Sequence, residues 1–356
     1  MDAPTGAGLG PHPPLVPDAE PEVTTVGDDL AVVFWGADYK QYDGLEPDTT
    51  YTYDGVTFRT LPRPSGARLA TVATVNDVHF GETICGFDSN APEAGPVLSS
   101  LPGERPYPEI MNEAAVEEIA AADPDVVLVK GDLTDDGKTE DYEAFLRCYG
   151  GAFGERMHHI RGNHDAYKGQ TDAPAGPFAV EVPGAVLAML DTTVPFAPNG
   201  GVDAEQLTWL ADLATGHADG PPVLLFGHHQ PWKPGSKTRS DIYFGINPDD
   251  SERLVDTVAR HPRIAGYFCG HSHRNRVRRF AETGALPWTE VACVKDFPGA
   301  WAEYRIFEGG VLQLVHRIRR PDALKWTERT RAMFGGLYPQ FSFGRLEDRC
   351  FLVPPR

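Results

Sequence analysis

The sequence predicts an α/β fold in which two β-sheets lie face to face with helices outside, an α-β-β-α sandwich of four layers. Three observations carry the prediction. Strand-length apolar runs recur at Ala70–Val75, Val126–Val129, Met157–Ile160, Val186–Leu190, Val223–Phe226 and Ile264–Phe268, and each stops where a polar segment begins. Helical patterning fills the intervals between them. After the last of these runs the chain turns to strands alone, at Val277–Ala281, Trp288–Val294, Trp301–Phe307 and Val311–Ile318. Apolar strands that end in polar segments are how layered α/β folds present functional side chains.

Taken in order, residues 1–20 are rich in Pro, Gly and Ala and are expected to lack fixed structure. Residues 21–64 read as a small antiparallel unit. Leu30–Trp35 is strand-like, and Thr49–Tyr53 alternates towards Val56–Phe58 across Asp54-Gly55, with a second turn signal at Asp43-Gly44. Pro62–Gly66 is the expected linker, and residues 65–320 form the main domain. Its helices are expected at Glu109–Ala122, Thr139–Tyr149, a stretch opened by Asp203 with Gln206 as a capping box, and Asp249–Arg260. Residues 321–356 form a C-terminal extension with a short helix near Ala323–Phe334 and an aromatic-rich end of no legible role.

Lys and Arg total 32 against 51 Asp and Glu, a net charge of -19. Such a surface repels polynucleotide backbones and anionic membranes, so a nucleic acid polymer is not an expected partner. No run approaches the roughly 18 apolar residues of a membrane span. The five cysteines, Cys85, Cys148, Cys269, Cys293 and Cys350, show no short paired spacing. With no signal-peptide pattern at the start, a reducing cytoplasm is the expected location. Oligomeric state is not legible.

Five short segments carry the chemistry: Asp77-Val78-His79, Gly131-Asp132, Gly162-Asn163-His164-Asp165, Gly227-His228-His229 and Gly270-His271-Ser272-His273. Any one alone is weak, since Asp-x-His or a histidine pair arises often in ordinary turns. Five in succession, each closing an apolar run, are not ordinary. Asp77 with His79, and His271 with His273, sit at spacing two and share one side of an extended strand end. Asp132 offers two oxygens that can bridge two cations, and Asn163 adds a neutral amide oxygen. This mixed oxygen and imidazole set suits two divalent ions and the hydrolysis of phosphate esters.

The ordered set resembles that of the calcineurin-like metallophosphoesterases over about residues 69–318. The resemblance implies Asp77, His79, Asp132 and His273 on one metal and Asp132, Asn163, His228 and His271 on the other. It implies that His164, not a ligand, protonates the leaving oxygen or holds the phosphate, with Asp165 orienting its ring. Asn163, His164 and His229 are the expected substrate contacts, and His228 rather than His229 is the expected ligand of the histidine pair. The implied reaction is attack on phosphorus by a hydroxide shared between the two metals. Manganese or iron is favoured, and zinc, cobalt or nickel also suits the set.

Gly131-Asp132-Leu133-Thr134-Asp135 with His228-His229 resembles the class III cyclic-nucleotide phosphodiesterase branch. Residues 44–53 resemble fibronectin type III modules and the small β domain of purple acid phosphatases. Those phosphatases carry a ligating tyrosine three positions after the bridging aspartate, where this chain has Asp135. The expected function is therefore hydrolysis of small phosphodiesters, with 3',5'-cyclic nucleotides as candidate substrates. A phosphomonoesterase or nucleotide pyrophosphatase on the same centre is the alternative, and a non-catalytic binding module is third.

Two insertions are expected to wall the site. One is Gly81–Pro108; the other is Trp232–Pro248, with Trp232, Lys233, Lys237, Arg239, Tyr243 and Phe244. Of the basic run Arg274, Arg276, Arg278 and Arg279, about half is expected to face substrate by strand alternation. Asp135 and Asp136 are expected to cap the following helix.

Overall fold

In a computed structural model that describes residues 19–87, 93–240 and 243–353, two six-stranded sheets form the centre of the molecule. The N-terminal strands are β1 (Glu22–Val26), β2 (Leu30–Trp35), β3 (Asp38–Asp43), β4 (Thr50–Tyr53) and β5 (Val56–Arg59). Then come β6 (Arg68–Val75), β7 (Val126–Lys130), β8 (Met157–Ile160), β9 (Phe178–Val182), β10 (Ala185–Met189), β11 (Val223–Phe226) and β12 (Ile264–Cys269). The last are β13 (Arg276–Arg278), β14 (Trp288–Glu290), β15 (Ala300–Phe307), β16 (Gly310–Arg317) and β17 (Phe351–Val353).

One sheet runs β17-β16-β15-β6-β7-β8 and the other β13-β14-β12-β11-β10-β9. Within them β6, β7 and β8 are parallel, as are β10, β11, β12 and β14. The inner faces meet through Val72, Leu128 and Tyr304 on one side and Leu187, Leu224, Phe226 and Phe268 on the other. The outer faces are covered by helices. Tyr107–Ala122 and the segment from Thr139 pack on Val75, Val127 and Val129, while Ala204–Gly216 and Pro248–Arg260 pack on Val186, Leu225 and Tyr267. The four-layer α-β-β-α sandwich is therefore present. It matters for function because the parallel strands of both sheets deliver their following loops to one rim.

All six apolar runs of the main domain are strands, and two of the predicted helices carry side-chain caps. Asn247 accepts from the Asp250 amide, and Asp203 accepts from the Gln206 amide. Only half of a capping box exists at Asp203, however. The Gln206 side chain turns away to clamp the backbone of Asp191 from both sides, at 3.0 and 2.9 Å. The helix from Thr139 widens into a π-helical turn over Leu146–Gly150. Its start has Lys138 at the cap position with no side-chain cap, so Asp135 and Asp136 do not cap it. Asp136 instead pairs with Lys168.

Strands β1, β3, β9 and β17 carry no strong sequence signal and were not anticipated. β3 (DYKQYD) is nearly all exposed and polar and owes its existence to pairing with the apolar β2. Consequently the β2–β3 hairpin turns at Gly36-Ala37, and Asp43-Gly44 only leads out of β3. The N-terminal strands are held against the sheet: Arg305 reaches Asp28 and Asp29 at 2.8 and 2.7 Å, and Thr25 donates to the Val315 carbonyl at 2.7 Å. The expectation of no fixed structure for residues 1–20 falls almost wholly outside the described residues.

Residues past Pro321 pack back onto the main domain. The indole of Trp326 stacks on the ring of Tyr107 with centroids 4.1 Å apart, and β17 pairs with β16. This return brings Met333, Phe334, Tyr338 and Phe341 to the functional rim.

Candidate metal centre

The five segments meet where the parallel strands end. Asp77 and His79 follow β6, Asp132 follows β7, Asn163 and His164 follow β8, His228 and His229 follow β11, and His271 and His273 follow β12. Backbone conformation does part of the positioning. Asp77, His79, Asp132, His271 and His273 all have φ between 45° and 66°, in the left-handed region. For residues with a Cβ such conformations cost on the order of 1 kcal/mol each, and they collect at functional sites. Glycine supplies the clearance the ligands need. A Cβ on Gly131 would stand 2.6 Å from His228 Nδ1, and one on Gly162 would be driven into the carboxylate of Asp132.

Asp132 lies between two imidazoles, with its Oδ2 3.2 Å from His228 Nε2 and 3.6 Å from His79 Nε2. Its Oδ1 accepts the His164 amide at 2.9 Å. His273 Nε2 is 3.5 Å from Asp77 Oδ1, and the His271 amide donates to Asp77. Ligand-sized groups therefore form around Asp77, His79 and His273, around Asp77, Asp132 and His228, and around His228, His229 and His271.

Proton positions follow from the partners. His228 Nδ1 is 2.8 Å from the Lys130 carbonyl, which can only accept, so Nδ1 carries the proton and Nε2 faces inward with a lone pair. Asn163 donates its amide nitrogen to Tyr167 Oη at 2.7 Å, which turns its Oδ1 to within 3.1 Å of His228 Nε2. Three electron-pair donors thus converge on one point, and only a proton or a cation reconciles them.

The electrostatics agree. Burial alone would lower the pKa of His228, but the Asp132 carboxylate beside it lifts the value to about 9. Burial favours neutral Asp77 and Asp132, yet His273 and His228 respectively hold them below the ordinary carboxylate range. Burial pushes His79 and His271 well below the ordinary imidazole value, with Lys295 adding to the effect on His79 and His229 on His271. Both are thus neutral, the form that ligates. Both ring nitrogens of His79 and Nε2 of His271 are buried without a hydrogen-bond partner. Orphaned buried nitrogens beside two carboxylates fit divalent cations, and this donor set matches them in kind.

Two expectations need correction. Asp165 does not orient the His164 ring. Its carboxylate accepts from the amides of Gly162, Leu133 and Thr134 and from the Thr134 hydroxyl, tying the loop after β7 to the loop after β8. Burial and the neighbouring Asp132 raise its pKa to about 6. The His164 ring is held by the Asp135 carbonyl, 2.6 Å from Nδ1, which leaves Nε2 as the nitrogen able to exchange a proton. His229, expected at the substrate, is wholly buried behind the cluster with Nδ1 on Thr192 Oγ1 at 2.8 Å. Its Nε2 points among His228 and His271, so it belongs to the donor cluster and not to the cavity lining.

Above the cluster opens a cavity of about 900 Å³. Of the two insertions, Ile84, Cys85 and Phe87 from the first and Phe244 from the second line it. The basic residues expected there do not. Arg239 is taken up by Asp249 and Glu252, and Arg274, Arg276 and Arg278 all converge on the buried Glu290. Glu82, Lys295 and Asp296 were missed. Lys295 Nζ pairs with Glu82 at 2.5 Å, Glu82 Oε1 lies 3.9 Å from His79 Nδ1, and Asp296 Oδ2 lies 3.8 Å from His273 Nδ1. A signal existed: Val291–Val294 is one more apolar run that ends in a charged pair.

A buried cluster of two aspartates, an asparagine and histidines at the strand ends of a two-sheet sandwich defines a metal-dependent hydrolase. The family model of calcineurin-like phosphoesterases matches residues 70–275, more than half of the chain, and the protein belongs to that family. It is a phosphoric ester hydrolase that depends on divalent metal. A probable cyclic nucleotide phosphodiesterase of Synechococcus sp. is 30% identical over 190 residues, covering 52% of this chain and 72% of its own. A glycerophosphodiester phosphodiesterase of Enterobacter lignolyticus is 26% identical over 236 residues, covering 61% and 77%. Among solved structures, a dimetal phosphatase from Danio rerio superposes with a TM-score of 0.53 at 13% identity, over 71% of this chain and 98% of its own, a likeness of fold. Among the described residues no helix is long and apolar enough to cross a membrane.

Proposed function

We propose that the protein hydrolyses phosphodiester bonds at a dinuclear centre, with Asp77, His79, Asp132 and His273 holding one cation and Asp132, Asn163, His228 and His271 the other. The observation that carries this reading is Asp132, set between His79 and His228 with its Oδ2 towards both. Bound cations supply Lewis-acid charge to the phosphate oxygens and to the attacking water. The chain's own residues do the rest. The Lys130 carbonyl fixes the His228 tautomer, and the Tyr167 hydroxyl aims the Asn163 oxygen inward. His164 Nε2, at the cavity floor, is placed to give a proton to the departing alkoxide. His229, packed against His271 with centroids 4.4 Å apart, supports that ligand from behind.

Diester cleavage is favoured because the named activities of both relatives act on diesters. Cyclic nucleotides are the first substrates to assay, with manganese as the first metal. Purified protein supplied with manganese is expected to turn over bis-p-nitrophenyl phosphate and 3',5'-cyclic AMP faster than p-nitrophenyl phosphate. Hydrolysis of the monoester alone would sink the diesterase reading, and no metal-dependent turnover of any of the three would sink the enzyme reading.

A further inference from the structure

The cavity carries two features that the metal cluster does not use: its charge and its rings. Acidic side chains face it from Glu82, Asp135 and Asp296 in addition to Asp132. Among the described lining residues Lys295 is the one lysine or arginine, and it is bound to Glu82 at 2.5 Å with Asp296 at 3.9 Å. A negatively charged part of a substrate that lies away from the metal cluster would therefore meet carboxylates, not a free side-chain cation.

The rings stand at the mouth. Phe244 lies nearly parallel to His271, with centroids 4.0 Å apart and planes 28° apart, yet it remains 53% exposed. Phe341 is 49% exposed, and the Arg274 guanidinium sits 4.9 Å from its ring centre. Both line the same cavity although they come from segments almost 100 positions apart in the chain. Large exposed phenylalanines beside a polar cluster are surface that water solvates poorly and a flat ligand would cover. Phe341 lies beyond the stretch matched by the family model, so this part of the cavity is built by the chain's own C-terminal segment.

We infer that Phe244 and Phe341 are specificity-determining residues that stack a flat, uncharged ring of the substrate, a nucleobase or an aryl group, while the acidic lining disfavours negative charge on that part of the substrate. The inference rests on the phosphodiesterase reading and narrows it to ring-bearing diesters. Stacking on a phenylalanine acts on binding more than on the chemical step, so its loss raises KM and spares kcat.

The test compares manganese-loaded wild type with Phe244→Ala, Phe341→Ala and Phe341→Tyr. The substrates are 3',5'-cyclic AMP, bis-p-nitrophenyl phosphate and the ringless diester glycerophosphoethanolamine. Each alanine variant is expected to raise KM for the ring-bearing diesters about tenfold, with kcat within about twofold, and Phe341→Tyr to restore it. Glycerophosphoethanolamine should be cleaved with unchanged KM, or not at all. If the wild type cleaves diesters and both alanine variants keep its KM for the ring-bearing pair, the inference fails and the diesterase reading stands. An equal rise in KM on the ringless diester would show general loosening and also overturn it. Absence of diester cleavage by the wild type removes both.

Discussion

The floor and the mouth of the cavity are built by opposite means. Floor residues are short motifs at the ends of parallel strands, mostly buried, five of them left-handed in backbone, and pinned by hydrogen bonds such as Gly162 N to Asp165 and His271 N to Asp77. Mouth residues come from an insertion and from the C-terminal segment, are half exposed, and hold their places by ring contacts. The difference teaches that chemistry and selectivity are separable here. A floor whose geometry is over-determined tolerates little change, whereas a mouth built from an insertion and the C-terminal segment can be altered without moving the centre.

The sharpest way to break that division is at Asp132. Asp132→Ala removes the carboxylate between the two ligand groups, and losing several kcal/mol of metal-borne stabilisation lowers kcat about a thousandfold or more. Metal analysis should find less cation per chain than in wild type; a fully loaded, active variant would refute the assignment. Next in size is His164→Ala, expected to lower kcat by about 10²–10⁴-fold with metal content retained. Loss of metal in that variant would move His164 from proton transfer to ligation.

The attachment of the mouth is tested at Trp326, buried on Tyr107 with its indole N–H on the Lys295 carbonyl and outside the ligand set. Trp326→Ala should cost about 3–5 kcal/mol of stability, read as a shift of the urea midpoint. In protein that remains folded it should raise KM more than it lowers kcat, because it loosens Phe341 and leaves Asp132 alone.

A control away from both regions is Glu303 on β15. Burial would raise its pKa, but the hydrogen bond from His316 and the charge of Arg305 hold it well below the ordinary value of 4.5. A carboxylate depressed on folding contributes stability that is present above about pH 4.5 and lost as pH falls through its lowered value. Urea midpoints measured from pH 7 down to 3 should therefore fall less steeply below pH 4.5 in Glu303→Gln than in wild type. Parallel curves would contradict the assignment. The smallest effect is expected at Arg239→Ala. Its ion pairs with Asp249 and Glu252 are exposed, so stability should change by less than about 0.5 kcal/mol. Activity should not change; a marked loss would place Arg239 itself at the substrate.

Legibility followed the same division. The six apolar strands and the ligand segments could be read because each is local, a run of Val, Leu and Ile followed at once by its polar residues. Strand β3 could not, since its exposed DYKQYD holds strand form only by pairing with β2. Asp165 was misread because adjacency to His164 says nothing about direction: at the bend after β8 its side chain turns back to the loop after β7. The arginines at 274, 276 and 278 were misread because alternation splits consecutive residues, whereas these share one parity and one partner, Glu290. The aromatic mouth had no local signature at all. Phe244 and Phe341 become neighbours of the centre only through tertiary return of the chain.

Gly162 packs so tightly behind Asp132 that not even a methyl group fits. The cluster is thus sealed by backbone on its inner side, with Asp77 and His228 shut off from solvent altogether. The cavity that passes Phe244 and Phe341 opens onto it. Ions and substrate that enter there take the same path, so a substrate held in the cavity would stand between solvent and whatever ions lie beneath.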